Sequence, residues 1–338
     1  MSAPLAGPGP AGPPRGSSQA AKPRRLENTL VALLSLAGAW AAWHAPAGVA
    51  LEGHPWRVGF YLGLVGLVGL AVLSLRRLAA LDGTSAAVRF GTPLLFGLWV
   101  LVFWELLVQA YEVPKVLMPA PSVVWASLLA GAPALQGDFV QTVLHSVLIG
   151  LAVGSGLGFA VGVLIDRSGF LQRGLLPVAS LASTVPLVGV APIMVMWFGF
   201  DWHSKAAVVV VMTFFPMLVN TLAGLAATGH MERDLMRSYG AGYWRTLLSL
   251  RIPVALPFVF NALKINSTLA LIGAIVAEFF GSPVAGLGFR ISTEAARLNM
   301  GLVWAAIAVA AVAGSALYVL IEWIERRLTF WHPSIRMG

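Results

Sequence analysis

Three ionisable side chains, Glu105, Lys264 and Glu278, stand inside long apolar blocks of this 338-residue sequence. Such groups are costly in hydrocarbon, and by default they mark a path for a solute, an ion or a proton. Lys264 lies near one end of its block, where a long basic side chain snorkels to the interface more readily than it touches a solute. Glu278 and Glu105 could each line a cavity or reach the headgroups. Asn220, Asn261, Asn266, Ser267, Thr268 and His145 suit hydrogen bonds between helices. Pro186 and Pro192 would kink a helix and free its carbonyls beside a path. Met194, Met196, Trp197, Phe214 and Phe215 could form an adaptable apolar wall, although such a stripe is also ordinary packing. The candidate path residues are therefore Glu278, Lys264, Asn220, Trp197, Met194 and Pro192.

None of this adds up to a catalytic set. The absence of cysteine excludes disulfides, thiolate metal sites and Cys nucleophiles together. The six histidines are scattered, with no pair at haem-ligand spacing and no HExxH, and no cluster of paired aspartates occurs. The nearest approach to a phosphate loop, 199–205, lacks the second Gly before the Lys and the Ser or Thr after it. Neither a metal site, a cofactor site nor ATP hydrolysis is expected in this chain.

The elements that must position these residues are membrane spans. The chain is 58% hydrophobic and only 11% charged, against about 25% charged in a soluble domain. Blocks of about 20 apolar residues predict eight helices, at 29–49, 58–75, 91–111, 143–165, 176–199, 206–228, 258–280 and 302–323. Backbone amides in hydrocarbon must be satisfied within the segment, so the runs are helices and the fold class is all-α and polytopic. Pro46 and His44 make the first span the weakest, and Arg24 and Arg25 before it also suit a secretory leader. The next block follows so closely that a helical hairpin is the better reading. Gly63, Gly66 and Gly69, and again Gly154, Gly158 and Gly162, fall at spacings that let helix backbones approach closely, within one subunit in preference to a dimer seam.

Of the 22 Lys and Arg, 16 fall on the side of the termini, 5 on the other, and Lys264 lies within a span. By the positive-inside rule both termini are cytoplasmic, in a cytoplasmic (inner) membrane. Spread over short loops, the net charge of +8 does not form a nucleic-acid surface. Residues 1–28, rich in Pro, Gly, Ala and Ser, read as a disordered cytoplasmic tail. Residues 29–77 read as an accessory hairpin, 89–328 as the main transmembrane domain, and 329–338 as a second cytoplasmic tail.

One cytoplasmic segment, 230–257, is too long for a simple connection. Residues 231–239 can form a short amphipathic helix. Gly240 and Gly242 supply a backbone break, and 243–252 form a second helical stretch that Pro253 and Pro257 should end. Asp234-Leu235-Met236 is followed after three residues by Gly240, after nine more by Leu250, and then by Ile252-Pro253. This loop resembles that of the permeases of ATP-binding-cassette importers with the type I transmembrane fold, whose pattern is Glu-Ala-Ala, three residues, Gly, nine residues, Ile, one residue, Leu-Pro. Leu-Met in place of Ala-Ala is the departure. The resemblance runs from about Leu117 to His332 and includes Met118-Pro119-Ala120-Pro121-Ser122, Trp197-Phe198-Gly199, Gly286-Leu287-Gly288 and Leu328-Thr329-Phe330-Trp331-His332. These satellites are similar to the branch that imports nitrate, sulfonates, taurine and pyrimidine or flavin precursors.

The resemblance implies a coupling set of Asp234, Leu235, Met236, Gly240, Ala241, Leu250, Ile252 and Pro253, seated in a groove of a separate ATPase that holds ATP and Mg. It implies a permease homodimer in the bilayer, two ATPase subunits on one side and a substrate-binding protein on the other. Asp201, His203, Lys205, Arg290, Glu294 and Arg297, read as outer-loop charges, are candidates for docking that binding protein. A gradient-driven secondary transporter or channel is the alternative. It should show inverted repeats, or a carboxylate paired with a basic group near the midplane, and the sequence shows no such set.

Overall fold

The computed structural model describes residues 57–79, 86–168, 174, 187–281 and 285–331. The tail at 1–28, the expected first span at 29–49, residues 176–186 of the expected fifth span with Pro186 among them, and 332–338 of the second tail lie outside the described residues. Every regular element among the described residues is helical. The chain divides into two compact units, Met1–Pro114 and Lys115–Gly338.

In the first unit α1 (Arg57–Ala79) packs against α2 (Ala86–Ala110). The seam is built from Leu67, Leu70 and Ala71 against Leu95, Trp99, Val102, Phe103 and Leu106. Among the described residues no helix comes close at Gly63, Gly66 or Gly69, since a Cβ on any of them would meet no atom within 4 Å. The contact with α2 is made instead by the adjoining stripe of Leu67, Leu70 and Ala71. Glu105 is buried in α2 and accepts a hydrogen bond from Gln109 one turn on.

The second unit begins with a short helix, α3 (Pro121–Ala130), which packs on the final helix, α10 (Met300–Leu328). Three long helices form its centre: α4 (Ala132–Asp166), α6 (Trp202–Ala226) and α8 (Tyr243–Gly281). Between α4 and α6 lies α5 (Ala191–Phe198), preceded by a 3-10 turn at Leu187–Val190. Between α6 and α8 lies α7 (His230–Ser238), and α9 (Leu287–Ala296) precedes α10. Among the described residues five helices, α2 from Gly91 together with α4, α6, α8 and α10, are long and apolar enough to cross a membrane. At most 44% of any span's most apolar stretch is fully buried within the chain, so each span keeps apolar surface that the chain itself does not fully cover.

The α4–α6 contact is set by glycine. A Cβ at Gly150, Gly154, Gly158 or Gly162 would lie 2.1–2.9 Å from atoms of Val209, Thr213, Phe214 or Thr221. Two helices meet here at backbone distance, which only a missing side chain permits. The structure thus pairs Gly154, Gly158 and Gly162 inside one subunit, as the spacing suggests.

Two expectations about proline are corrected. Pro253 and Pro257 do not end a helix, because α8 runs unbroken from Tyr243 through both of them to Gly281. Just before Pro253 the helix widens to π geometry over Leu247–Arg251, and Ile252 donates to the Leu247 carbonyl five residues back. This local rearrangement accommodates the absent N–H without breaking the axis. Pro192 does not kink the middle of a span either. It sits in the first turn of α5, where its missing N–H costs nothing.

Candidate functional site

The segment between α6 and α8 carries an exposed helix. No residue of α7 is buried, and its apolar side chains face outward, with Met231 84% and Leu235 56% exposed. Its end is fixed by Gly240, at φ +67°. Gly240 N donates to the Arg237 carbonyl at 2.9 Å and Ala241 N to the Met236 carbonyl at 3.0 Å. This pair of bonds is a Schellman motif, which requires a left-handed residue at the position Gly240 fills. At the other end of α7, Arg233 donates to the Thr228 carbonyl at 2.6 and 3.1 Å, capping the chain as it leaves α6. Asp234 and Arg237 form only an exposed pair at 3.3 Å, which contributes little.

Inward from this protrusion lies an ion pair that sequence reading missed. Arg251 donates two bonds to Asp166, at 2.6 and 2.8 Å, and two more to the Leu225 carbonyl near the end of α6, at 3.0 and 3.3 Å. The Tyr243 hydroxyl donates to the same aspartate at 3.2 Å. Both charged side chains are largely buried. The ends of α4 and α6 are thereby joined to the start of α8 by a planar, bidentate contact. Leu250, Ile252 and Pro253, placed by the sequence in the cytoplasmic loop, are half-buried residues at this root of α8.

The polar residues within the spans are mostly committed to structural partners. Lys264 pairs with Glu325 of α10 at 2.8 Å. Asn266 joins α8 to both neighbours, donating to Ser155 Oγ at 3.0 Å and the Thr213 carbonyl at 2.7 Å. Asn220, Ser267 and Thr268, expected to bond between helices, instead bond carbonyls of their own helix, those of Pro216, Lys264 and Ile265. Glu278 is 1% exposed within the chain. Its buried carboxylate accepts from Thr142 at 2.7 Å and from the Gly288 amide at 2.7 Å. Met194 packs on the cluster of Ala191, Val208 and Ala277, whereas Pro192 and Trp197 on the same short helix are exposed.

At the end of the spans opposite the protrusion, the start of α9 is held by side chains from two other helices. Asp138 accepts from the Gly286 amide at 2.8 Å, Thr142 from the Leu287 amide at 2.8 Å, and Glu278 from that of Gly288. These are the orphan donors of a helix N-terminus. The Gly286-Leu287-Gly288 motif follows from this crowding, because a Cβ on either glycine would fall within 3.0 Å of Glu278.

Three expected docking charges are corrected here. Lys205 is not an exposed loop cation; it is 0% exposed in the first turn of α6 and donates to the carbonyls of Phe200, Asp201 and Gly281. Arg290 is drawn inward to Asp138 at 2.7 Å, and that hydrogen bond raises its already high pKa. Glu294 is buried and accepts from Arg297 at 3.0 Å and Asn299 at 2.8 Å. Asp201, His203 and Arg297 do lie exposed. The Trp202 amide holds the Asp201 carboxyl below its usual range. Beside Arg297, exposed Leu298 closes the turn into α10 at φ +59°, a strained placement for a leucine.

Comparison with known proteins agrees with this architecture. Residues 146–330 match the family described as binding-protein-dependent transport system inner membrane component. A probable ABC transporter permease protein of Haemophilus influenzae is 30% identical over 71% of this chain and 97% of its own length. The formylaminopyrimidine transport permease protein of Halalkalibacterium halodurans is 31% identical over 72% of this chain and 96% of its own. The riboflavin transport system permease protein of Chloroflexus aurantiacus is 30% identical over 70% and 88%. With a helical bundle, a protruding loop rooted at the start of a span and this similarity over most of its length, the chain belongs to the binding-protein-dependent transport family and is the transmembrane permease subunit of an ABC importer.

Proposed function

We propose that this permease works as a homodimer in the cytoplasmic membrane, with its termini in the cytoplasm. In this arrangement 230–257 forms the contact with each of two ATPase subunits, and a substrate-binding protein docks on the opposite side. The observation that carries the reading is α7, an amphipathic helix with no buried residue, closed by a left-handed glycine and rooted through Arg251 in the bundle. An element that transmits force must be exposed where it meets its partner and rigid where it joins the spans. ATP and Mg belong to the ATPase subunits in this scheme. Asp201, His203 and Arg297 remain the proposed docking charges, and Trp197, Met194 and Pro192 the proposed path or dimer surface. The span at 29–49 and the helix beginning at Arg57 are proposed as an accessory hairpin, giving about eight spans with 89–328 as the transport domain.

For the cargo, a neutral heterocycle of the pyrimidine or flavin-precursor type is favoured over a sulfonate or taurine. Among the described residues, the two lysines within spans, Lys205 and Lys264, are both occupied by internal partners, leaving neither to hold an anion. Two of the relatives are named for such heterocycles. The test is co-purification with an ABC ATPase subunit from the same organism, followed by ATP-driven uptake of labelled formylaminopyrimidine and taurine into vesicles. Uptake driven by an ion gradient without ATP, or a complex with one permease per two ATPases, would overturn the scheme. Uptake of taurine alone would overturn the cargo assignment.

A further inference from the structure

Helix α4 carries a buried aspartate near each end, Asp138 and Asp166, separated by 28 residues or about 42 Å of helix. Each is paired with an arginine that flanks the apolar body of α8. Arg251 stands at its start and pairs with Asp166 at 2.6 Å; Arg290 follows its end, in α9, and pairs with Asp138 at 2.7 Å. Between these locks the two helices are joined again, by Asn266 to Ser155 at 3.0 Å and by Thr142 to Glu278 at 2.7 Å. The pairs are two-point contacts. Arg251 reaches both carboxylate oxygens of Asp166, while Asp138 accepts from Arg290 and from the Gly286 amide. Bonds of this kind fix rotation as well as distance.

We propose that α4, α8 and α9 move through the transport cycle as one lever, with α4 locked to α8 by Asp166–Arg251 and to α9 by Asp138–Arg290, and α9 held to α8 by the Gly288 amide on Glu278. This lever carries motion between the 230–257 loop and the α9 surface on the far side of the membrane. Sliding of α4 past α8 and α9 would break both pairs and strand buried charges, so rigid-body movement is the cheaper response to a push on the loop. Asp138, Asp166, Arg251 and Arg290 are thus positioning residues: they touch neither solute nor nucleotide, and they act by keeping the three helices in register. The inference rests on the loop being the ATPase contact.

The chain contains no cysteine, so Asp166→Cys with Arg251→Cys gives one defined thiol pair. The full complex is reconstituted with this permease, its ATPase and its binding protein, and the pair is bridged by a short bis-thiosulfonate linker. With the linker in place, stimulation of ATP hydrolysis by the binding protein should approach that of the unaltered complex. Adding reductant to the same vesicles should lower the stimulation about 5-fold or more, with basal hydrolysis unchanged. Asp138→Asn should give the same loss at the other end. A purely structural role would instead lower basal hydrolysis and stimulation in proportion. Stimulation indifferent to cleavage of the linker would overturn the lever. The loop reading is tested separately by Leu235→Glu, which should release the ATPase; if it does not, the loop assignment fails, whatever the linker shows.

Discussion

A single glycine-to-alanine change should have opposite effects at two positions two residues apart on α4. At Gly154 the added methyl would lie 2.1 Å from Thr213 Oγ1, 2.6 Å from the Val210 carbonyl oxygen and 2.8 Å from Val210 Cα, where ordinary contact begins at 3.4 Å. The threonine hydroxyl can rotate, but the Val210 backbone cannot, so α4 and α6 must part by about 0.6–0.8 Å. Overpacking of this size costs about 1–3 kcal/mol. At Gly156 the same methyl meets nothing within 4 Å, leaving only the helix preference for alanine over glycine, about 0.8–1.0 kcal/mol in water. That preference is common to both sites and cancels in the comparison. Gly154→Ala should therefore be less stable than Gly156→Ala by about 1–3 kcal/mol, and Gly158→Ala, which meets the Phe214 carbonyl oxygen at 2.5 Å, should follow Gly154. The assay is reversible unfolding of the detergent-solubilised protein in mixed micelles, read by far-UV circular dichroism. Equal midpoints for Gly154→Ala and Gly156→Ala would refute the claim that α4 and α6 meet at backbone distance.

Gly240→Val would place a β-branched residue at φ +67° with no steric clash, a local cost of about 1–2 kcal/mol. The protein should reach the membrane at normal level, yet fail to retain its ATPase or to answer the loaded binding protein, measured by pull-down and hydrolysis. Glu278→Gln turns an amide donor toward Thr142 or Gly288, so the unfolding midpoint should fall by the equivalent of about 1–3 kcal/mol while transport per folded molecule is retained. Loss of transport without loss of stability would return Glu278 to the path. Arg297→Glu should weaken binding-protein stimulation and its salt dependence without affecting expression, because the side chain is 72% exposed. Arg290→Glu, which faces buried Asp138, should instead deplete the folded protein, as judged by size-exclusion profile.

Local pattern explains what was legible without a structure. Uninterrupted apolar blocks identify spans because lipid leaves the backbone no partner outside its own helix; α4, α8 and α10 each contain an expected block, and α6 covers all but the last two residues of another. The loop at 230–257 was legible from its charge pattern and Gly240, since a left-handed turn needs a residue type that can be read one position at a time. Even the α4 glycines were legible, because close packing depends on a repeat within one helix. Extent was less so: the spans run further than their apolar blocks, and α8 passes through two prolines by widening its turn.

What only the tertiary structure decided is where each charge goes. Lys205, Arg290 and Glu294 read as loop charges because hydropathy along the chain reports no neighbour from another helix. Asp138 and Arg290 are 152 residues apart, and Asp166 and Arg251 are 85 apart, so no local signal links either pair. A basic residue at the end of a span looks the same in sequence whether it meets headgroups or a buried aspartate. The choice is made by which helices pack side by side, and in this chain that packing turns charges expected at the surface into the ties that hold α4, α8 and α9 together.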